Sequence, residues 1–176
     1  MQKETVRQTD AESFNRLVLE NQEKIYALFR RMVSSHDEAD DLTQETFIKV
    51  YKNLSKFRHD SSAYTWIYRI AVNTGLNFLR RRKARQTIGF EKVELAAETG
   101  NPDIADFKNE ALKKVLAQLP SKQQMVIILR TYQGLAFRDI GRIMDITENA
   151  AKVNYIHALK NMRKKFEAMG VSYETV

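Results

Sequence analysis

Apolar residues recur at the spacing of one helix face along almost the whole chain, and that periodicity lapses once, between Gln86 and Asn101. The pattern predicts an all-α protein of two small helical domains, residues 1–85 and 102–176, joined by a linker at 86–101. Asp10 is expected to cap a first helix near 11–34, in which Phe14, Leu17, Val18, Ile25, Leu28, Phe29 and Met32 face inward. Ser35 with Glu38 forms a capping box for a second helix near 36–54, with Ala39, Leu42, Phe47, Val50, Tyr51 and Leu54 as its stripe. A third runs over 62–85 on Tyr64, Ile67, Tyr68, Ala71, Gly75, Leu76 and Leu79. Three helices with short connections make a bundle.

Beyond the linker, Asn101-Pro102 reads as a cap followed by proline in the first turn of a helix ending at Leu119, before Pro120. Ser121 and Gln124 have capping-box spacing and open a helix to about Tyr132, which Gly134 ends. Two helices remain, 135–144 and 148–166, separated by the turn Asp145-Ile146-Thr147. In this pair Ala136, Ile140 and Ile143 are expected to face inward, Ile146 to plug the turn, and Ala151, Tyr155 and Leu159 to back the second helix. Gly141 and Ala151 are small enough for the close crossing that a helix-turn-helix requires.

Charge is distributed in blocks. The chain carries +7 overall, with −1 over residues 1–57, +6 over 58–92, −4 over 93–112 and +6 over 113–176. Two basic blocks parted by an acidic stretch predict two surfaces that face a polyanion. The chain has no Cys, and its three His (His36, His59 and His157) offer no ligand pair at helical spacing, so neither thiol chemistry nor a metal site is expected, and no cofactor. The longest clearly apolar run, Met125 to Leu129, is far too short to span a membrane, and residues 1–13 are polar. The expected location is the cytoplasm.

Three surfaces could carry function. On the last helix Asn149, Lys152, Val153, Ile156 and His157 form an outer face able to enter a major groove. On the third helix Trp66, Arg69, Asn73, Asn77 and Arg80 lie three or four residues apart; an aromatic among Arg and Asn suits unpaired bases and their phosphates. The run Arg80-Arg81-Arg82-Lys83 adds phosphate contacts. Asp37, Glu38, Asp40, Asp41 and Glu45 could hold a cation before a diphosphate, as in a small metal-dependent lyase, but carboxylates are equally favourable at a helix N-terminus, and a partner-binding face suits them better. No catalytic residue is expected, and the chain is not expected to be an enzyme. A DNA-binding regulator acting alone would use the helix-turn-helix and leave the acidic segment idle.

The segment Asp37-Glu-Ala-Asp-Asp-Leu-Thr-Gln-Glu-Thr-Phe47 resembles the polymerase-binding signature of sigma factors. Thr65-Trp-Ile-Tyr-Arg-Ile-Ala-Val-Asn73 resembles their segment that melts and reads the −10 element, and Leu119-Pro120 with Gly134 to Asn149 resembles their helix-turn-helix for the −35 element. With these three in order, the chain resembles the extracytoplasmic-function (ECF) group of the sigma-70 family. The resemblance implies a sigma factor that binds core RNA polymerase at the β′ clamp helices and the β subunit, and directs promoter recognition and melting. It places Asp40, Asp41, Gln44, Glu45 and Phe47 on the polymerase, and Arg58, Ser62, Trp66, Arg69, Asn73, Asn77, Arg80 and Arg81 on −10 DNA. Asn149, Lys152, Val153, Asn154, Ile156 and His157 fall on −35 DNA. It also implies control by an anti-sigma factor. Where that family's recognition helix commonly reads Gly-Thr-Val-Lys-Ser-Arg, this chain has Asn149-Ala150-Ala151-Lys152-Val153-Asn154, with fewer hydroxyl and guanidinium donors.

Overall fold

A computed structural model of the chain describes residues 2–33, 35–57, 62–87 and 104–170, all of whose regular structure is helical. Three long helices come first: α1 (Gln2–Arg30), α2 (His36–Asn53, followed by a 3-10 turn Leu54–Lys56) and α3 (Ala63–Thr87). Then follow α4 (Ile104–Ala117), α5 (Ser121–Ile127, continued by a π turn Ile128–Tyr132), α6 (Phe137–Met144) and α7 (Glu148–Ala168). The expected Asn101-Pro102 cap and most of the expected linker lie outside the described residues.

Local chemistry explains most boundaries and corrects two. Asp10 is not a cap: α1 begins at Gln2, because no Gly or Pro interrupts residues 2–9 and the helix propagates through them. Ser35 does cap α2, its Oγ accepting from the Glu38 amide at 3.5 Å. The second expected capping box does not form. Pro120 takes the N-cap position in extended backbone, so Ser121 is already helical and makes no capping bond, and the Gln124 side chain is buried instead.

One core runs through both halves of the chain. Ile25, Leu28, Phe29 and Met32 of the α1 segment meet Ala39, Leu42, Phe47 and Val50 of α2 and Ile67, Tyr68, Ala71, Val72, Leu76 and Leu79 of α3. Met125, Val126, Ile128, Leu129, Ile140, Ile143 and Ala151 join the same cluster from the C-terminal half. Gly75 marks the meeting point: a Cβ there would lie 2.5 Å from the Met32 methyl and 3.2 Å from that of Met125. Smaller clusters pack α4 on α5 and α7 through Leu116, Leu119, Ile127 and Ala158, and through Ala111, Val115 and Phe166.

Polar contacts tie the halves as well. The Tyr68 hydroxyl donates to Gln133 Oε1 at 2.9 Å, and Gln133 Nε2 donates to the Lys24 carbonyl at 3.4 Å. The Arg31 guanidinium stacks over the Tyr132 ring at 4.4 Å, and Lys83 donates to the Leu119 carbonyl. The π turn, whose register brings the Gln133 amide to the Ile128 carbonyl, supplies both Tyr132 and Gln133 to this junction. The two sequence units are therefore packed against each other.

Candidate nucleic-acid and partner interfaces

The helix-turn-helix is built from α6 and α7. Asp145 ends α6 in the left-handed region at φ 55°, and the Ile146 amide returns to the Gly141 carbonyl at 2.9 Å. A Cβ on Gly141 would stand 2.8 Å from the Ile146 carbonyl oxygen, so the turn closes because this residue has none. Thr147, read in the sequence only as part of the turn, caps α7 by accepting from the Ala150 amide at 3.0 Å. Ile140, Ile143 and Ala151 are buried as expected, and Tyr155 meets Phe137 edge-on at 5.4 Å. Ala136 and Leu159 depart from expectation. Ala136 is the exposed N-cap of α6, and Leu159 faces solvent because Ala158 takes the inward position.

On the outer face of α7, Asn149, Lys152, Val153, Ile156 and His157 are exposed. Asn154 is half-buried and its amide donates to the Ala150 carbonyl at 2.8 Å. Lys152 pairs with Glu148 at 2.7 Å; that hydrogen bond, with the charges of Lys152 and Arg138, holds the Glu148 carboxyl below its ordinary value. Further along the helix Lys160, Arg163 and Lys164 line a shallow groove with His157, Asn161 and Glu167, where Glu167 accepts from Arg163 at 2.9 Å.

On α3, Arg69, Asn73, Asn77, Arg80 and Arg81 are exposed, and Arg80 donates to Asn77 at 3.5 Å. Trp66 is half-buried, its ring stacked on Phe57 with centroids 4.8 Å apart. Arg69 is already engaged: its guanidinium donates to the Arg142 carbonyl, at the end of α6, at 2.9 Å. Ser62 accepts from the Thr65 amide at 3.2 Å and so secures the start of α3. Arg58 lies outside the described residues. Behind the stripe, burial and the neighbouring Tyr64 push the Tyr68 hydroxyl pKa up, while burial and then Lys165 push the Lys83 ammonium down.

On α2, Asp40, Asp41, Gln44 and Glu45 are exposed, with Glu45 paired to Lys49 at 2.6 Å. Lys49 also donates to Thr74 at 3.0 Å, fixing α2 against α3. Phe47 is buried beside Val50, as its place in the apolar stripe predicts, so it supports this face from beneath rather than presenting itself. Tyr51 is a correction, being exposed and in edge contact with Phe14 at 5.1 Å, where the sequence pattern placed it in the core. Thr46 takes an inward position, its hydroxyl donating to the Leu42 carbonyl at 2.8 Å. Ile48 joins Tyr51 on the outer face. The signal for Ile48 was present, since it lies three and four residues from Glu45 and Gln44 and off the buried stripe. Among the described residues no three His, Asp or Glu side chains converge to hold a cation.

A helix-turn-helix with a basic flank, packed on a helical unit that bears an Arg-Asn-aromatic stripe and an acidic-apolar face, defines a DNA-binding transcription protein. Comparison with known proteins narrows the class. Residues 17–85 match Sigma-70 region 2, and residues 109–162 match Sigma-70, region 4. The chain is 32% identical to the RNA polymerase sigma-H factor of Pseudomonas aeruginosa, over 94% of this chain and 92% of that protein. It is 33% identical to the ECF RNA polymerase sigma-E factor of Escherichia coli, over 94% and 93%. Among solved structures, the sigma factor RpoE in complex with the anti-sigma factor NepR from Bartonella quintana has the same fold, with a TM-score of 0.66 at 24% identity over 89% of this chain and 98% of that one. CnrH in complex with the cytosolic domain of CnrY gives a TM-score of 0.65 at 18% identity, over 90% of each chain. The chain belongs to the sigma-70 family, in its ECF group. It is a sigma factor, which binds core RNA polymerase and directs it to promoters. No helix among the described residues is long and apolar enough to cross a membrane.

Proposed function

We propose that the chain does this work through three surfaces. The exposed face of α2, with Asp40, Asp41, Gln44 and Glu45 around Ile48 and Tyr51, docks on the β′ clamp helices of core polymerase, with Phe47 holding it from below. An apolar centre with a polar rim is the usual anatomy of such a contact. The α3 face, Trp66 through Arg81 with Ser62 at its start, takes the −10 element as a separated strand, together with Arg58, which precedes it in the sequence. The α7 face, Asn149 through His157, enters the major groove of the −35 element, and the second unit also meets the β subunit. The unit boundaries fall at 85 and 102. RNA synthesis belongs to the polymerase, the sigma factor contributing recognition and no catalytic group, and its site of action is the cytoplasm. An anti-sigma factor controls it, a reading supported by the likeness to the sigma factor RpoE, seen in complex with the anti-sigma factor NepR.

The observation that carries the reading is the pairing, in one chain, of the exposed acidic-apolar face of α2 with a helix-turn-helix whose outer face is free of the core. Its test is promoter-specific RNA synthesis that depends on added core polymerase. Asp41→Arg is expected to lower association with core polymerase at least tenfold while helicity by circular dichroism is unchanged, because reversing a charge on a docking face turns attraction into repulsion. Unchanged association would remove α2 from the interface.

A further inference from the structure

The outer face of α7 is unusual in what it offers DNA. Val153 and Ile156 are 42% and 50% exposed, and Leu159, a turn on, is 45% exposed. Seven large apolar side chains are exposed among the described residues, and these three sit on this one helix. The polar groups beside them are partly committed. Lys152 is held by Glu148 at 2.7 Å, and Asn154 turns its amide back to the Ala150 carbonyl at 2.8 Å. What remains toward the groove, apart from Asn149 and His157, is a patch of methyl groups.

B-DNA presents one apolar feature in its major groove, the 5-methyl of thymine. Resting on the reading that α7 enters the −35 major groove, we propose that Val153 and Ile156 read thymine by apolar contact with that methyl, and so set base preference there. The flanking charge fits a nucleic acid better than an apolar protein groove: Lys160 and Lys164 continue the helix beyond the patch, where they can hold phosphates. Base edges in this motif are met from the N-terminal part of the recognition helix, where Val153 sits in the second turn and Ile156 opens the third. Asn149, one turn before Val153, remains available for a conventional hydrogen bond to adenine.

The experiment uses full-length chain with core polymerase and promoter DNA whose −35 segment is randomised. Sequences retained by holoenzyme are recovered, and each thymine in the segment that holoenzyme protects is then replaced by deoxyuridine, which lacks only the 5-methyl. At one or two positions the replacement is expected to weaken binding by about fourfold, the ratio corresponding to burial of one methyl group. That penalty should vanish in Val153→Ala at one position and in Ile156→Ala at the other. Both residues are exposed, so the variants are expected to keep the fold, which circular dichroism and core-polymerase binding verify. Retained sequences without thymine in either strand of the protected segment would overturn the proposal, as would equal binding of thymine and deoxyuridine. A deoxyuridine penalty undiminished in both variants would also overturn it and assign the apolar patch to another partner. Absence of any −35 protection would instead sink the placement of α7 itself, so the two failures are distinguishable.

Discussion

A methyl group added at Gly141 would meet backbone, the Ile146 carbonyl oxygen at 2.8 Å and the Glu148 amide nitrogen at 3.3 Å, and no rotamer change moves those atoms aside. At Gly75 the same addition meets the flexible ends of Met32 and Met125, which can yield. Gly141→Ala should therefore force the turn away from α6 and cost about 1–3 kcal/mol, as overpacking does, seen as a lower denaturant midpoint. The same variant should lose −35 affinity and retain the contact of α2 with the β′ clamp helices, because Gly141 belongs to the other unit. Unaltered stability would mean that the turn has slack the packing does not show. The need for a small residue at 141 was legible in the sequence, since the helix-turn-helix spacing demanded it. The backbone atom it avoids was not. Nor could a helical repeat tell that Tyr51 leaves the core and Thr46 enters it. Both lie within one residue of the buried stripe, and the packing of α1 and α3 chooses between them.

Among elements, α5 departs most from what its sequence suggested. Spacing alone made Gln124 a partner for Ser121, but Pro120 takes the cap and shifts the first turn by one residue. Gln124 then points into the protein, almost wholly buried, and its Oε1 meets no donor among the described residues. A buried acceptor without a donor costs about 1–3 kcal/mol, whereas an apolar group of similar shape avoids the cost. Gln124→Met should accordingly raise the stability of the chain by about 1 kcal/mol in urea unfolding, without loss of promoter binding. A destabilised variant would show that the amide serves the packing of α5 after all. The π turn that follows was equally hidden, because propensity does not distinguish a π turn from an α turn of the same residues. Its effect is local but consequential: it brings Tyr132 and Gln133 against Arg31, Tyr68 and Lys24 of the first unit. Helix number and order, by contrast, followed from periodicity, and the matched cap at Ser35 from chemistry that acts within four residues.

At the scale of the whole molecule, the sequence pattern showed two units, and the structure adds that they share a core. Arg69, proposed to meet −10 DNA, donates to the Arg142 carbonyl of the helix-turn-helix, so the two proposed DNA faces are held within one packed body. A compact chain of this length has a radius of gyration of about 16 Å. Elements centred about 25 base pairs apart lie roughly 85 Å apart along B-DNA. One packed body does not reach both. If α3 takes the −10 element and α7 the −35 element, as proposed, engaging a whole promoter separates the α1–α3 unit from the α4–α7 unit, exposing Gly75, Met125 and their neighbours and breaking the Tyr68–Gln133 and Arg69–Arg142 bonds. Because burying that apolar junction favours the packed form, contact with polymerase and DNA has to supply the difference. The absence of Cys makes the consequence measurable, since Glu20→Cys with Lys122→Cys introduces a single dye pair on exposed positions of α1 and α5. Energy transfer is expected to be high in the free chain and to fall on forming the promoter-bound holoenzyme. Adding Gln133→Ala, which deletes the bonds to Tyr68 and Lys24, should lower transfer in the free chain before any partner is present. Transfer that stays high in the promoter complex would show that the units remain packed, and that one of the two promoter elements is read by other means.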